Sequence, residues 1–560
     1  MNCRTEAGRE VRPWARVPGT DRRCCPAPAR SGPRLDHATR TVYPTGSKWT
    51  NSPPHRPPVP GTRGNPILFP LPLPHPGARP TTRGPRSERL SSGRCRVGRR
   101  VAAPPQRRRE GAARQRDARA GTGVGRRRAT SWGPSDLKKP FPLFPELPLT
   151  YSSLVNYTAN LQQLACVASV GVGLWVFSNH FLTTDIPAAI SHPLRLRVLN
   201  CILQLLITWG LIFEKLRICS MPQFVRFVHD LLPLKKHPDV VVKDLRFGTI
   251  PVKLYQPKAP ASGLRPGIVF YHGGGGILGS LKTYHGICCN LCKKSDAVVL
   301  AVGYRMLPKH RFPVILTDCM VGTMHFLKSL DTYGVDPARV IVCGDSVGGS
   351  VATVLCQKFV DRSDLPKIRA QILIYSALQG LNFQSPSHQQ NKNIPLLNHN
   401  LAFYCWCGYL DISPSWISTV LKGAHLPAEV WEKYRKWLSA ENIPDKFKKR
   451  GYLPMSREPL NEAAYLETKI TLDVVNSPLI ADDEVVSRLP EACIVSCEYD
   501  ILRDDSLLYK KRLEDLGVRV TWHHMEDGFH GVLTTADMSF FYFPCSSRIL
   551  DAVAHFIKGL

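Results

Sequence analysis

The chain has 560 residues, 43% of them hydrophobic, with 18 cysteines and a net charge of +30. Its length allows several domains, and its apolar content is that of a globular protein. So few cysteines in so long a chain exclude a small disulfide-stapled scaffold.

The charge is concentrated at one end. Residues 1–135 hold 29 Lys and Arg against 7 Asp and Glu, and Lys48 is their only lysine. Residues 1–140 are rich in Arg, Pro, Gly and Ala, with runs such as Arg107-Arg108-Arg109 and Arg126-Arg127-Arg128. They lack apolar periodicity, so they are expected to be disordered: too little surface is available to offset the entropy of ordering. A basic tail can hold nucleic acid or anionic lipid. Too few aromatic residues interleave the arginines to make the stacking platform that such binding requires, so no nucleic-acid partner is expected. The prolines oppose the amphipathic helix of a transit peptide. Abundant Arg with scarce Lys also matches GC-rich codon usage, which reads the tail as upstream sequence without a selected role.

Leu161 to Leu182 is a run of 22 residues without Asp, Glu, Lys or Arg. A helix crossing a bilayer needs about 20 such residues, so this segment is expected to be a membrane anchor; a buried core helix is the alternative. A second apolar run, Val198 to Phe213, carries Asn200, Gln204 and Thr208 four apart, on one stripe of a helix. At 16 residues it is short for a span. Residues 195–240 are therefore read as an interfacial segment or a helical cap on the domain that follows. Lys138, Lys139 and the arginines precede the anchor, while Arg195 and Arg197 follow it. That balance places the N-terminus in the cytosol and the rest across the membrane.

Residues 241–560 are expected to form one domain. Short apolar, β-branched runs alternate with helical stretches: Gly267–Tyr271, Val298–Tyr304, Val340–Cys343, Gln371–Tyr375, Cys493–Cys497 and Val518–His523. Runs of this kind are strands buried on both faces, which predicts a mostly parallel, doubly wound α/β sheet. Between about 380 and 475 the alternation gives way to a helical insert containing Trp406, Trp416, Trp431 and Trp437, expected to cap the sheet.

Gly344-Asp345-Ser346-Val347-Gly348 follows an apolar strand and precedes a helical stretch. This is the strand, sharp turn and helix that a G-x-S-x-G nucleophile elbow needs. His272-Gly273-Gly274-Gly275-Gly276 follows another strand, and its backbone N–H groups, with that of Val347, are candidates for an oxyanion hole. The loop lacks the Gly-Lys-Ser/Thr of a phosphate-binding loop, and no acidic strand end about 20 residues on completes a dinucleotide fingerprint. The order serine, acid, histidine then selects Asp500 and His530, both at C-terminal strand ends. His530 would take the proton of Ser346, and Asp500 would hold the imidazole in the required tautomer. Asp504 and Asp505 are rival acids, expected to face solvent or pair with Arg503. Asp527 is too near His530 in sequence, and His523 and His524 lie in or at the end of a strand.

Cys289 and Cys292, beside Cys288, form a C-x-x-C without a second pair, and read as buried thiols or one local bridge. No metal and no cofactor are expected.

These motifs, together with Tyr304-Arg305, Phe312-Pro313, Ser477-Pro478-Leu479-Ile480-Ala481-Asp482-Asp483, Asp500-Ile501-Leu502-Arg503-Asp504-Asp505 and Asp527-Gly528-Phe529-His530-Gly531, resemble the hormone-sensitive-lipase-type α/β hydrolases. The chain is most similar to their arylacetamide deacetylase-like members of the like-3/like-4 branch, over roughly residues 165–560. The resemblance implies a capped α/β-hydrolase domain on a single-pass type II anchor, facing the endoplasmic reticulum lumen. It implies hydrolysis of apolar carboxylic esters, arylacetamides or lipid esters by Ser346, Asp500 and His530, with His272, Gly273 and Gly274 in the oxyanion motif. The partners implied are an apolar small-molecule ester or lipid substrate and membrane lipid. The alternative is a ligand-binding or scaffold protein on the same fold that has lost turnover. Three departures stand out. Val347 replaces a common alanine, Gly276 stands where an aromatic is common and would widen the acyl pocket, and the tail has no counterpart.

Overall fold

Runs of Val, Ile, Leu and Cys that are apolar on both faces can be accommodated only between two layers of helices. The computed structural model, which describes residues 151–560, shows that arrangement. The expected disorder of residues 1–140 lies outside the described residues.

In chain order, the first elements are helices α1 (Tyr151–Val176), α2 (Pro193–Lys215) and α3 (Met221–Asp230). The sheet and its flanking helices begin with β1 (Val240–Phe247), β2 (Ile250–Pro257), β3 (Arg265–Tyr271), α4 (His285–Ser295), β4 (Val298–Val302), α5 (Val314–Leu327), α6 (Leu330–Tyr333), β5 (Val335–Asp345), α7 (Val347–Phe359) and β6 (Ala370–Ile374). An insert follows, with α8 (Pro386–Gln390), α9 (His399–Leu410), α10 (Ile417–Leu421), α11 (Ala428–Leu438) and α12 (Glu462–Thr468). The chain then completes α13 (Asp483–Val486), β7 (Glu491–Tyr499), α14 (Arg503–Asp515), β8 (Val520–Phe529) and α15 (Pro544–Lys558).

The eight strands lie in the order β1-β2-β4-β3-β5-β6-β7-β8. From β4 to β8 every pairing is parallel, while β2 runs antiparallel to both β1 and β4. The β1–β2 hairpin is absent from the strands read in the sequence. Period-two alternation separates two cores. Val340 and Val342 join Val269, Leu300 and Leu355 on one face, and Ile341 and Cys343 join Phe270, Val299 and Val495 on the other. Cys288, Cys289 and Cys292 are buried free thiols on α4. Burial raises all three, Cys289 and Cys292 to about 12, because a thiolate is costly in an apolar core.

The apolar segments at the start form two helices long enough to cross a membrane, Tyr157–Leu182 and Pro193–Lys215. The second is longer than its apolar run: it has 23 residues, about 34 Å at 1.5 Å per residue, where the apolar run alone gave 16. Pro193 opens it at a position where a missing N–H costs nothing, and it continues through Glu214 and Lys215.

Candidate functional site

Two register pairs bring the site together. Tyr271 lies opposite Gly344, so the chain leaves β3 as His272-Gly273 beside Asp345-Ser346. Tyr499 lies opposite Phe529, after an irregularity at Cys497, so the next residues, Asp500 and His530, emerge side by side. All four strands deliver these residues at their C-terminal ends, where an open α/β sheet places its site.

Ser346 sits between β5 and α7 with φ +54° and ψ −123°, a conformation that side chains rarely adopt. Its N–H is held by Ile374 O at 2.9 Å. The turn is tight: a side chain at Gly348 would run into Tyr271 O. The serine hydroxyl donates to His530 Nε2 across 2.9 Å, and His530 Nδ1 donates to Asp500 Oδ2 across 2.8 Å. Asp500 is fully buried, and its other oxygen accepts the N–H of Leu502. The three residues read from the sequence are therefore in mutual hydrogen-bond reach, in an arrangement that can remove a proton from the serine as it attacks.

Of the five oxyanion candidates, Gly274, Gly275 and Val347 line the cavity next to Ser346. The first two give their N–H groups to no protein acceptor among the described residues, and Val347 begins α7, where the first N–H groups of a helix lack partners. His272 and Gly273 do not line it. The Gly273 N–H is taken by Asp345 Oδ1 at 2.7 Å, and the His272 ring stacks on Tyr304 with centroids 4.3 Å apart. Burial lowers His272 to about 4, so it is neutral and serves as packing beneath the loop. Gly276 also faces away: a side chain there would meet Ile315 and Leu307, so it does not widen the acyl pocket.

Asp345 escaped the sequence reading as a functional residue. Both of its oxygens are used, the second accepting the Tyr284 hydroxyl at 2.9 Å. Burial raises its carboxyl to about 6 against these hydrogen bonds, which favour the charge. Asp504 pairs with Arg503, one of the two expected arrangements, while the expectation of solvent exposure is corrected for both acids: Asp504 also accepts from Ser387 N, and Asp505 accepts from Leu378 N and Gln379, so α14 is fastened to the insert. Asp527 pairs with Arg548.

The site opens into a cavity of about 560 Å³. Its walls are apolar, with Leu203 and Leu206 from α2, Val225 and Val228 from α3, and Leu401 and Trp406 from α9. The insert thus closes over the strand ends.

A family model for the alpha/beta hydrolase fold matches residues 268–430 and 431–534. Human arylacetamide deacetylase-like 3 is 70% identical over 396 residues, 71% of this chain and 97% of that relative. The chain belongs to the arylacetamide deacetylase-like family. This is a carboxylic ester hydrolase family of the hormone-sensitive-lipase type. Human arylacetamide deacetylase-like 4 is 58% identical over 70% of this chain and 96% of its own. Rat arylacetamide deacetylase is 34% identical over 66% of this chain and 94% of its own.

Proposed function

We propose that this family member hydrolyses apolar carboxylic esters through an acyl-enzyme on Ser346. Ser346 Oγ attacks the acyl carbon while its proton passes to His530 Nε2. The tetrahedral oxyanion is held by the N–H groups of Gly274, Gly275 and Val347. Its collapse breaks the ester C–O bond, and His530 returns the proton to the departing alcohol. Water then attacks the acyl-enzyme, giving its proton to His530; collapse breaks the bond from the acyl carbon to Ser346 Oγ, His530 returns the proton to that oxygen, and the carboxylic acid leaves. Asp500 holds the imidazole tautomer and stabilises its charged form.

The observation that carries the reading is the 2.9 Å contact from Ser346 to His530, continued at 2.8 Å to Asp500, on the wall of an apolar cavity. The cavity also favours apolar acyl groups over charged ones, because a charge inside it would lose its hydration. Arylacetamides are a second substrate class, on the strength of the rat relative's name. A fluorophosphonate probe tests the chemistry: the chain should be labelled and Ser346→Ala should not. An unlabelled chain in both detergent and microsomes would favour a ligand-binding protein without turnover.

We also place the chain in the endoplasmic reticulum membrane as a type II protein with the hydrolase domain lumenal. The basic residues before the first apolar helix support this orientation. Protease treatment of sealed microsomes should leave the domain intact, and digestion without detergent would reverse the topology.

A further inference from the structure

The second apolar helix is long enough to cross a membrane, yet it is built into the hydrolase domain. Leu196 and Asn200 are buried, and Asn200 Oδ1 accepts the N–H of Leu396 from the insert. Arg195 Nη1 donates to Tyr542 O, and Gly210 packs closely on Met221 at the start of α3. Leu203 and Leu206, between these points, form cavity wall. A helix used along this length by the domain cannot also pass through lipid without stripping the wall from the cavity.

Its outer side is nevertheless apolar. Ile202 on α2 and Leu232 just after α3 line the cavity and are also exposed, at 43% and 52%. The cavity therefore reaches the surface between them. Phe227, Leu231 and Leu234 are exposed nearby, as are Leu216 and Ile218 in the turn between the helices. Lys215, Arg217, Lys235 and Lys236, all exposed, border this apolar surface at the turn and after α3. An apolar face with cations at its edge suits a helix pair lying at the depth where acyl chains meet phosphate headgroups. The apolar helix before it meets the start of α2, where Arg197 Nη1 donates to Phe181 O at 2.8 Å, and Leu164, Val167, Val170 and Leu174 on that helix are exposed.

We propose that the α2–α3 hairpin is seated in the bilayer, with α2 lying along the membrane instead of crossing it, so that the cavity opens into the lipid and receives a membrane-dissolved ester there. The occupant of the apolar surface is the bilayer, and the substrate class is an ester whose acyl chains partition into it. The substrate half rests on the esterase reading of Ser346; the membrane half does not.

Two measurements on the full chain in phosphatidylcholine vesicles separate the halves. With a phosphatidylcholine carrying a photoactivatable group in its acyl chain, label should appear on residues 221–236 as well as 157–182. Label confined to 157–182 overturns the membrane seat, and heavy label on the Leu196 side of α2 overturns its in-plane course. In the second measurement, F227E/L231E changes two exposed residues that do not line the cavity. It should lower hydrolysis of a long-chain ester dissolved in the vesicles about tenfold, from the loss of apolar contact with lipid. Hydrolysis of a water-soluble acetate ester should stay within about twofold, since no residue of the site is altered. Equal loss on both esters, or none on either, overturns lateral delivery. No turnover of either ester by the unaltered chain would sink the esterase reading, leaving the photolabelling to decide the membrane seat.

Discussion

Asp345 Oδ1 accepts the N–H of Gly273 at 2.7 Å, so the residue before the nucleophile fastens the loop that faces it. Its other oxygen takes the Tyr284 hydroxyl. The glycine loop therefore has a fixed point one residue before the free N–H groups of Gly274 and Gly275, and oxyanion stabilisation depends on such donors being held in place beforehand.

Asp345→Ala would leave the buried Gly273 N–H with only its longer, 3.2 Å bond to the Tyr284 hydroxyl and loosen that point. Loss of an oxyanion donor costs about 100-fold or more in kcat, so a displaced loop should approach 100-fold with KM changed little. Steady-state kinetics on a soluble ester, with circular dichroism as a check of folding, would show it. The pH dependence has a definite sign. Burial raises this carboxyl from 3.8 to about 6, so the folded protein favours the protonated form. Its stabilising contribution is full below the unfolded value and is lost as pH rises through about 6. Asp345→Asn carries no charge, so its melting temperature should gain on that of the unaltered chain between pH 4 and pH 7. A constant difference across that range would contradict the buried-carboxylate account.

Asp500→Asn keeps the shape of the side chain and an oxygen for the Leu502 N–H. Its amide then faces His530 Nδ1 and donates where the carboxylate accepted, stabilising the wrong imidazole tautomer. The corresponding change in a serine protease lowers kcat by about 10⁴, and a similar loss is expected here. The melting temperature should shift far less than the rate. A loss of less than tenfold in kcat would remove Asp500 from the proposed role.

Much of the site was legible because its residues lie at strand ends marked by local chemistry. Val340–Cys343 before Gly344, and Cys493–Cys497 before Asp500, are apolar runs that stop at polar or glycine residues. The hairpin was hidden by its own position. Lys243, Asp244 and Arg246 in β1 dilute the apolar signal because an edge strand with one wet face does not need it. β8 was read as ending at His523, whereas it continues to Phe529 through Glu526 and Asp527, which interrupt the apolar pattern. That extension sets Phe529 opposite Tyr499 and hence His530 beside Asp500. Asp345 and Asp505 were opaque for another reason. Their partners, Gly273 and Leu378, are distant in sequence, and a carboxylate's burial is decided by the N–H groups that reach it.

Gly275 has φ +61°, and a side chain there would run into Cys405 Sγ on α9. Gly275→Ala thus combines a backbone penalty of about 1–2 kcal/mol with crowding of about 1–3 kcal/mol. Cys405→Ala removes the sulfur and should relieve the second part alone. In a double-mutant cycle read by chemical denaturation, the two changes should couple favourably by about 1–2 kcal/mol. Additive effects would mean that the loop moves away from α9 instead of pressing on it.

Arg503 is fully buried and bonds Glu498, Asp504 and Phe447 O. It sits three residues after Asp500 and begins α14, the helix that follows the strand carrying that residue. Asp504 in turn accepts the N–H of Ser387 in the insert, so the guanidinium supports the joint between sheet and cap. Arg503→Met retains the volume of the stem but leaves two carboxylates without their common partner. Breaking one side of a buried ion pair typically costs about 3–5 kcal/mol, and that loss is expected in denaturant unfolding. Arg503→Lys should recover only part of it, because an ammonium cannot reproduce three bonds in one plane. If Arg503→Met unfolds at the same denaturant concentration as the unaltered chain, the joint is held by the apolar packing of Phe447 and its neighbours, and the ionic network contributes nothing to it.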